Sequence, residues 1–109
     1  MNFEDFERLE EKMWKEERAI SLNKGIEYSN CGSKLSLFDE LGQQTRCPHC
    51  KKEVGPKIIL WVLLSKHLRS IINYINTGKE YEEGIEDRIK DSRVYLSLLR
   101  AIVERERSN

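Results

Sequence analysis

The chain of 109 residues has no net charge, since 19 lysines and arginines balance 19 aspartates and glutamates. A neutral chain exerts no global pull on nucleic acid or an anionic membrane, so any such contact has to come from a local patch. Long apolar runs are missing too. The longest, residues 58–64, falls far short of the ~20 residues that cross a bilayer, and no membrane span is expected. The first eleven residues are acidic and amphipathic, unlike the basic start and apolar run of an export signal. Cysteine occurs only three times, an odd number that would leave one thiol unpaired in an oxidising compartment. Without an export signal, the expectation is a cytoplasmic protein whose thiols are free for metal. A Gly-rich phosphate loop is absent, because Gly78-Lys79 lacks the rest of that motif.

What is present is charge and helical periodicity. Charged residues make up 35% and hydrophobic residues 39% of the chain, a balance that predicts helices with solvated faces. Over residues 2–22, Phe6, Leu9, Met13, Glu16 and Ile20 recur at steps of three and four, with Phe3 and Trp14 widening the stripe. A second helix is predicted over residues 56–76. Pro56 suits its first turn and Gly78 its left-handed cap. Its opening run, residues 58–64, is apolar all round and reads as the centre of the core. A third helix is predicted over residues 81–107, and the short link before it makes the last two helices an antiparallel hairpin. On the third helix Ile85, Ile89, Ser92, Leu96, Leu99 and Val103 form a near-heptad seam. That seam serves either packing on the second helix or a homodimer through Ile85, Ile89, Leu96, Leu99 and Val103.

Residues 24–56 differ from the rest. They hold all three cysteines, both prolines and four of the six glycines. Apolar side chains are sparse there, and alternation such as Lys34-Leu35-Ser36-Leu37 predicts short hairpin strands. A segment so poor in apolar surface needs a metal or cover from the helices. Cys31 precedes Cys47-Pro48-His49-Cys50 by fifteen intervening residues. Two cysteines separated by two residues on a tight turn can place both sulfurs on one ion, and two such pairs complete a tetrahedral thiolate set. The runs Cys31-Gly32-Ser33-Lys34-Leu35 and Cys47-Pro48-His49-Cys50, with Gly42 between them, resemble the knuckles and hairpin of the zinc-ribbon fold group over about thirty residues. The resemblance implies a structural zinc on Cys31, Cys47 and Cys50. It departs from the pattern at Tyr28, where a ribbon carries its first cysteine, and at Lys51, where many ribbons place glycine. The fourth ligand could be His67 or His49. Three thiolates with water, a metal-free relic of the fold, and a reversible Cys47–Cys50 disulfide are the other readings.

The expected architecture is therefore mainly α with a small β zinc ribbon. One domain over residues 1–109 comprises a helix at 1–22, a ribbon-like insert at 24–56 and a helical hairpin at 57–109. Around the second knuckle lie Arg46, Lys51, Lys52 and Lys57. Residues 24–57 carry six basic and four acidic side chains, whereas residues 1–20 carry four basic and seven acidic ones. No carboxylate stands out as a positioned base, so catalysis is not expected. The expected function is that of a small regulatory or adaptor protein that binds another macromolecule. A protein is the first choice, and ribbons of this kind commonly serve the transcription machinery. The alternatives are direct nucleic-acid binding through Arg46, Lys51, Lys52 and Lys57, or a structural helical oligomer.

Overall fold

A computed structural model describes residues 1–28, 35–80 and 83–108, with side chains for these except Ser21 and residues 23–28. Four helices follow in order: α1 (Phe3–Tyr28), α2 (Ser36–Gln44), α3 (Pro56–Thr77) and α4 (Ile85–Ser108). Each starts or stops for a local reason. At the start of α1 the Asn2 side chain accepts the Asp5 N–H at 2.8 Å, and the Asp5 carboxylate accepts the Asn2 N–H in return. This reciprocal box satisfies donors that a helix start leaves open. Pro56 occupies the first turn of α3, and Gly78 closes it at φ 69°, its N–H donating to the Tyr74 carbonyl at 2.7 Å. Helix α4 carries Glu86 and Asp87 in its first turn and Arg105 and Arg107 in its last, both favoured by the helix dipole.

The core forms where α2, α3 and α4 meet. Phe38 of α2, Leu60 of α3 and Ile102 of α4 are 4%, 1% and 0% exposed, and Leu35, Ile59, Leu63, Tyr95, Leu98 and Leu99 pack around them. Phe38 meets Tyr95 edge to face with ring centroids 6.4 Å apart. Helices α3 and α4 run antiparallel, since Lys57 at the start of one pairs with Glu106 near the end of the other at 3.1 Å. Arg105 grips Asp39 with two bonds of 2.8 Å, tying α4 to α2. Helix α1 lies along α4 in the same direction. Glu16 pairs with Lys90 at 3.3 Å and Glu17 with Arg93 at 2.6 Å, while Leu22 lies in the groove beside Leu96 and Ser97.

This architecture corrects the expected fold class and the zinc-ribbon resemblance. The described residues form helices without a strand, and a ribbon needs β-hairpins; the one β-type pairing is an isolated bridge between Arg46 and Glu53. The stretch expected as hairpin contains α2. Its Lys34-Leu35-Ser36-Leu37 alternation is only four residues long. The longer pattern of Leu35, Phe38, Leu41 and Gly42 recurs at three, three and one, which is one helical face. Helix α1 also runs to Tyr28, past the expected end near residue 22, and α4 begins at Ile85 rather than 81.

Gly42, read from the sequence as the middle of a hairpin, instead lets α2 touch the start of α3. A Cβ there would lie 2.5 Å from the Gly55 carbonyl carbon and 2.8 Å from the Pro56 nitrogen. Both are backbone atoms, so a side chain forces the helices apart. Gly42→Ala is expected to destabilise the fold by about 1–3 kcal/mol, the usual cost of overpacking. Denaturant unfolding measures it, and an unchanged midpoint would show that the contact is not tight.

Candidate functional site

Two features can bind something: the Cys47–Cys50 turn and the outer face of α3. The turn lies between α2 and α3. The Cys47 N–H donates to the Lys52 carbonyl and the Lys51 N–H to the Cys47 carbonyl, both at 2.9 Å, while Val54 reaches back to Thr45 at 2.9 Å. Lys51 adopts φ 64°, a left-handed conformation that explains why glycine is favoured at this place in similar turns. Arg46 braces the strained residue by donating to the Lys51 carbonyl at 3.0 Å. The result folds the backbone around one sulfur. The N–H groups of Cys50 and His49, and then the Cys50 thiol, hydrogen-bond to Cys47 and hold its thiol pKa below the ordinary cysteine value. Cys47 is half-buried, Cys50 is exposed, and both are free thiols.

The sequence-predicted ligands are not brought together among the described residues, which contain no group of three metal-binding side chains. Cys31 lies outside the described residues, as does the side chain of Tyr28. His49 is exposed on the turn. His67 sits half-buried on α3, stacked on Tyr95 at 5.4 Å with its Nδ1 3.3 Å from an Arg88 nitrogen. That ring is part of the packing between α3 and α4. The basic residues are also divided. Arg46 faces Glu53 at 3.8 Å and Lys57 is paired with Glu106, while Lys51 and Lys52 are exposed at the turn.

The outer face of α3 was not anticipated. The run at residues 58–64 does supply the core, through Ile59, Leu60, Leu63 and Leu64. Being apolar all round, it also has another side. Ile58, Trp61 and Val62 are 50%, 55% and 54% exposed, and Ile72 and Ile75 continue the stripe at 55% and 72%. Positions 58, 61, 65, 68, 72 and 75 alternate steps of three and four, so they share one helical face. Ser65 interrupts it little, because its hydroxyl bonds the Trp61 carbonyl at 2.7 Å. No family model, curated protein or solved structure matches the chain.

The sequence did hold a signal for this face. Seven consecutive apolar residues in a chain this small give one helix more apolar surface than two neighbours can cover. Helix α3 is also long and apolar enough, by length and composition, to cross a membrane. Against that use, Lys66 and Arg69 sit near its midpoint, where each cation costs on the order of 3 kcal/mol in a bilayer centre. Its inner face is also committed to the core. Scattered apolar residues on a surface need no explanation, but two exposed apolar clusters on one helix, at Ile58–Val62 and Ile72–Ile75, are surface of the kind that suits a binding partner.

The turn makes a separate prediction. With its sulfur facing two N–H groups, Cys47 should be alkylated by iodoacetamide with a pH midpoint below that of a cysteine in an unfolded peptide, and the rate should fall as pH drops through that midpoint. Peptide mapping after timed quenching reads this directly. A Cys47 midpoint equal to the unfolded reference would mean that the turn does not act on the sulfur.

Proposed function

We propose that this protein is a small helical adaptor that binds another protein through the outer face of α3. The observation that carries the reading is the stripe of Ile58, Trp61, Val62, Ile72 and Ile75, each at least half exposed on a helix whose opposite face is the core. Rigid support matters for this role. A face on a helix held by the core costs little ordering entropy when it binds. Trp61 lies within the stripe, and tryptophan is among the residues that most often dominate binding energy at protein interfaces. Regulation of transcription was expected only through the ribbon resemblance and is not carried forward. Nucleic-acid binding is the weaker reading, because phosphate recognition draws on several available cations and Arg46 and Lys57 already face carboxylates.

Photo-crosslinking tests the adaptor reading. A photoreactive phenylalanine analogue in place of Trp61 should give a discrete protein adduct in an extract of the source cells, and one in place of Glu104 should not. The Trp61→Ala variant, with unchanged helicity, should weaken the purified complex tenfold or more. The same adducts from both positions, or none from Trp61, would refute it.

A specific observation supports a second activity at a different place. The two N–H groups facing the Cys47 sulfur suit a thiolate, the form that binds a metal. We propose that Cys47 and Cys50 supply two thiolate ligands to a zinc ion outside any ribbon fold. Native mass spectrometry should find one zinc per chain, absent from Cys47→Ser. A metal-free mass after purification with zinc present would remove this reading.

A further inference from the structure

We propose that the occupant of the Ile72–Ile75 end of the α3 face is the N-terminal end of α1 from a second copy of this chain, docked reciprocally to form a twofold dimer. The inference rests on the reading of α3 as a protein-binding face and names the partner. Three observations carry it.

The first is that the start of α1 overhangs. Helix α1 lies along α4 with Leu9 beside Glu86 and Ile89, near the first turn of α4. Residues 3–8 therefore continue past that helix by about 9 Å at 1.5 Å per residue. Phe3 and Phe6 fall on this overhang, 90% and 51% exposed, and Met1 beside them is 86% exposed. They belong to the same stripe as Leu9 and Met13, which do face α4. The helix thus carries its apolar stripe on beyond its own partner.

The second is charge. Helix α3 contains Lys57, Lys66 and Arg69 and no acidic residue in its 22 positions. Arg69 borders the apolar stripe on that helix. The first thirteen residues carry five acids against two bases, and Glu7 and Glu10 border Phe3 and Phe6 at helical spacing. One stripe is apolar with a basic edge and the other apolar with an acidic edge. The same argument disfavours α3 pairing with α3 of another copy. An antiparallel pair would bring Lys66 and Arg69 of both copies together at its middle, where like charges oppose contact.

The third is position. Helix α3 ends where α4 begins, and α1 runs parallel to α4. The overhang and the exposed Ile72–Ile75 end of α3 therefore lie at the same end of the helix array. A twofold axis at that end can bring each overhang to the other copy's α3, and a closed twofold contact consists of two identical halves.

Sedimentation velocity on the full chain, over a concentration series at low and high salt, tests the proposal. The expected result is a dimer that weakens as salt rises. The variant Lys66→Glu with Arg69→Glu should weaken it tenfold or more at unchanged helicity, and adding Glu7→Lys with Glu10→Lys should restore it to within a few-fold. Because Phe3 and Phe6 are exposed, Phe3→Ser with Phe6→Ser leaves the core untouched and should give a folded monomer. A monomer at every concentration overturns the inference, as does a dimer indifferent to these changes. A monomer whose Trp61 crosslinks a chain of another mass overturns the inference and leaves the adaptor reading standing. A monomer that crosslinks nothing removes both. A monomer that floats with vesicles of anionic lipid, and does so only with Arg69 intact, overturns both in favour of a bilayer surface.

Discussion

The meeting of Leu60, Phe38 and Ile102 is the contact on which the rest of the molecule depends. It joins three helices at one point, and each could be placed differently without it. Helix α2 is nine residues long and too short to persist alone in water. It is held because Phe38 is buried, because Arg105 grips Asp39, and because Gly42 allows its backbone to lie against Gly55 and Pro56. Those constraints fix where α3 starts. The position of α3 in turn sets the register of α4, through Lys57 with Glu106 at one end and His67 with Tyr95 further along. Truncating Ile102, which has no exposed surface, removes one of the three members; such losses commonly cost ~2–5 kcal/mol.

The helices were legible in the sequence because their patterns are long. Residues 56–76 and 81–107 each hold several turns of apolar spacing, and caps such as Pro56 and Gly78 mark where α3 starts and stops. What failed was short. Lys34-Leu35-Ser36-Leu37 satisfies a strand pattern over four residues, while the helical pattern needed Phe38, Leu41 and Gly42 as well. The cysteine spacing then drew the same segment into a ribbon, and a motif outweighed the periodicity around it. The α3 face was hidden for another reason. A run that is apolar on every side says that a helix has much to bury, but not which side its neighbours will cover. That depends on how many elements the chain has left, and α2 and α4 together cover one side.

The Cys47 turn shows how local structure can resemble a motif without the fold that usually surrounds it. Its hydrogen bonds join residues within ten positions of one another, from Thr45 to Val54, so it needs no strand partner elsewhere. Lys51 accepts a left-handed backbone, which costs a non-glycine residue roughly 1–2 kcal/mol. Three bonds close over that strain: the Lys51 N–H to Cys47, the Lys52 carbonyl from Cys47, and the Lys51 carbonyl from Arg46. A C-x₂-C motif is therefore evidence for a turn around a sulfur, and the surrounding fold has to be argued from other residues.

The charge distribution connects these separate parts. A neutral total hides an acidic α1 beside a basic α3, and the two are not partners within one molecule. Helix α1 spends its acidic residues Glu16 and Glu17 on Lys90 and Arg93 of α4, and the α4 residues Asp87 and Lys90 pair with each other as well. Those pairs set the height of α1 on α4. Setting that height leaves Phe3 and Phe6 exposed beyond the start of α4. The ion pairs that seat α1 thus also create its overhang. Likewise, the inner contacts that bury Leu60 and Leu64 turn Trp61 and Val62 outward. Both uncovered surfaces are consequences of the same packing, and they carry opposite charge. A chain can leave two apolar stripes exposed by accident of size, but edges of opposite sign give each stripe a reason to prefer the other over itself.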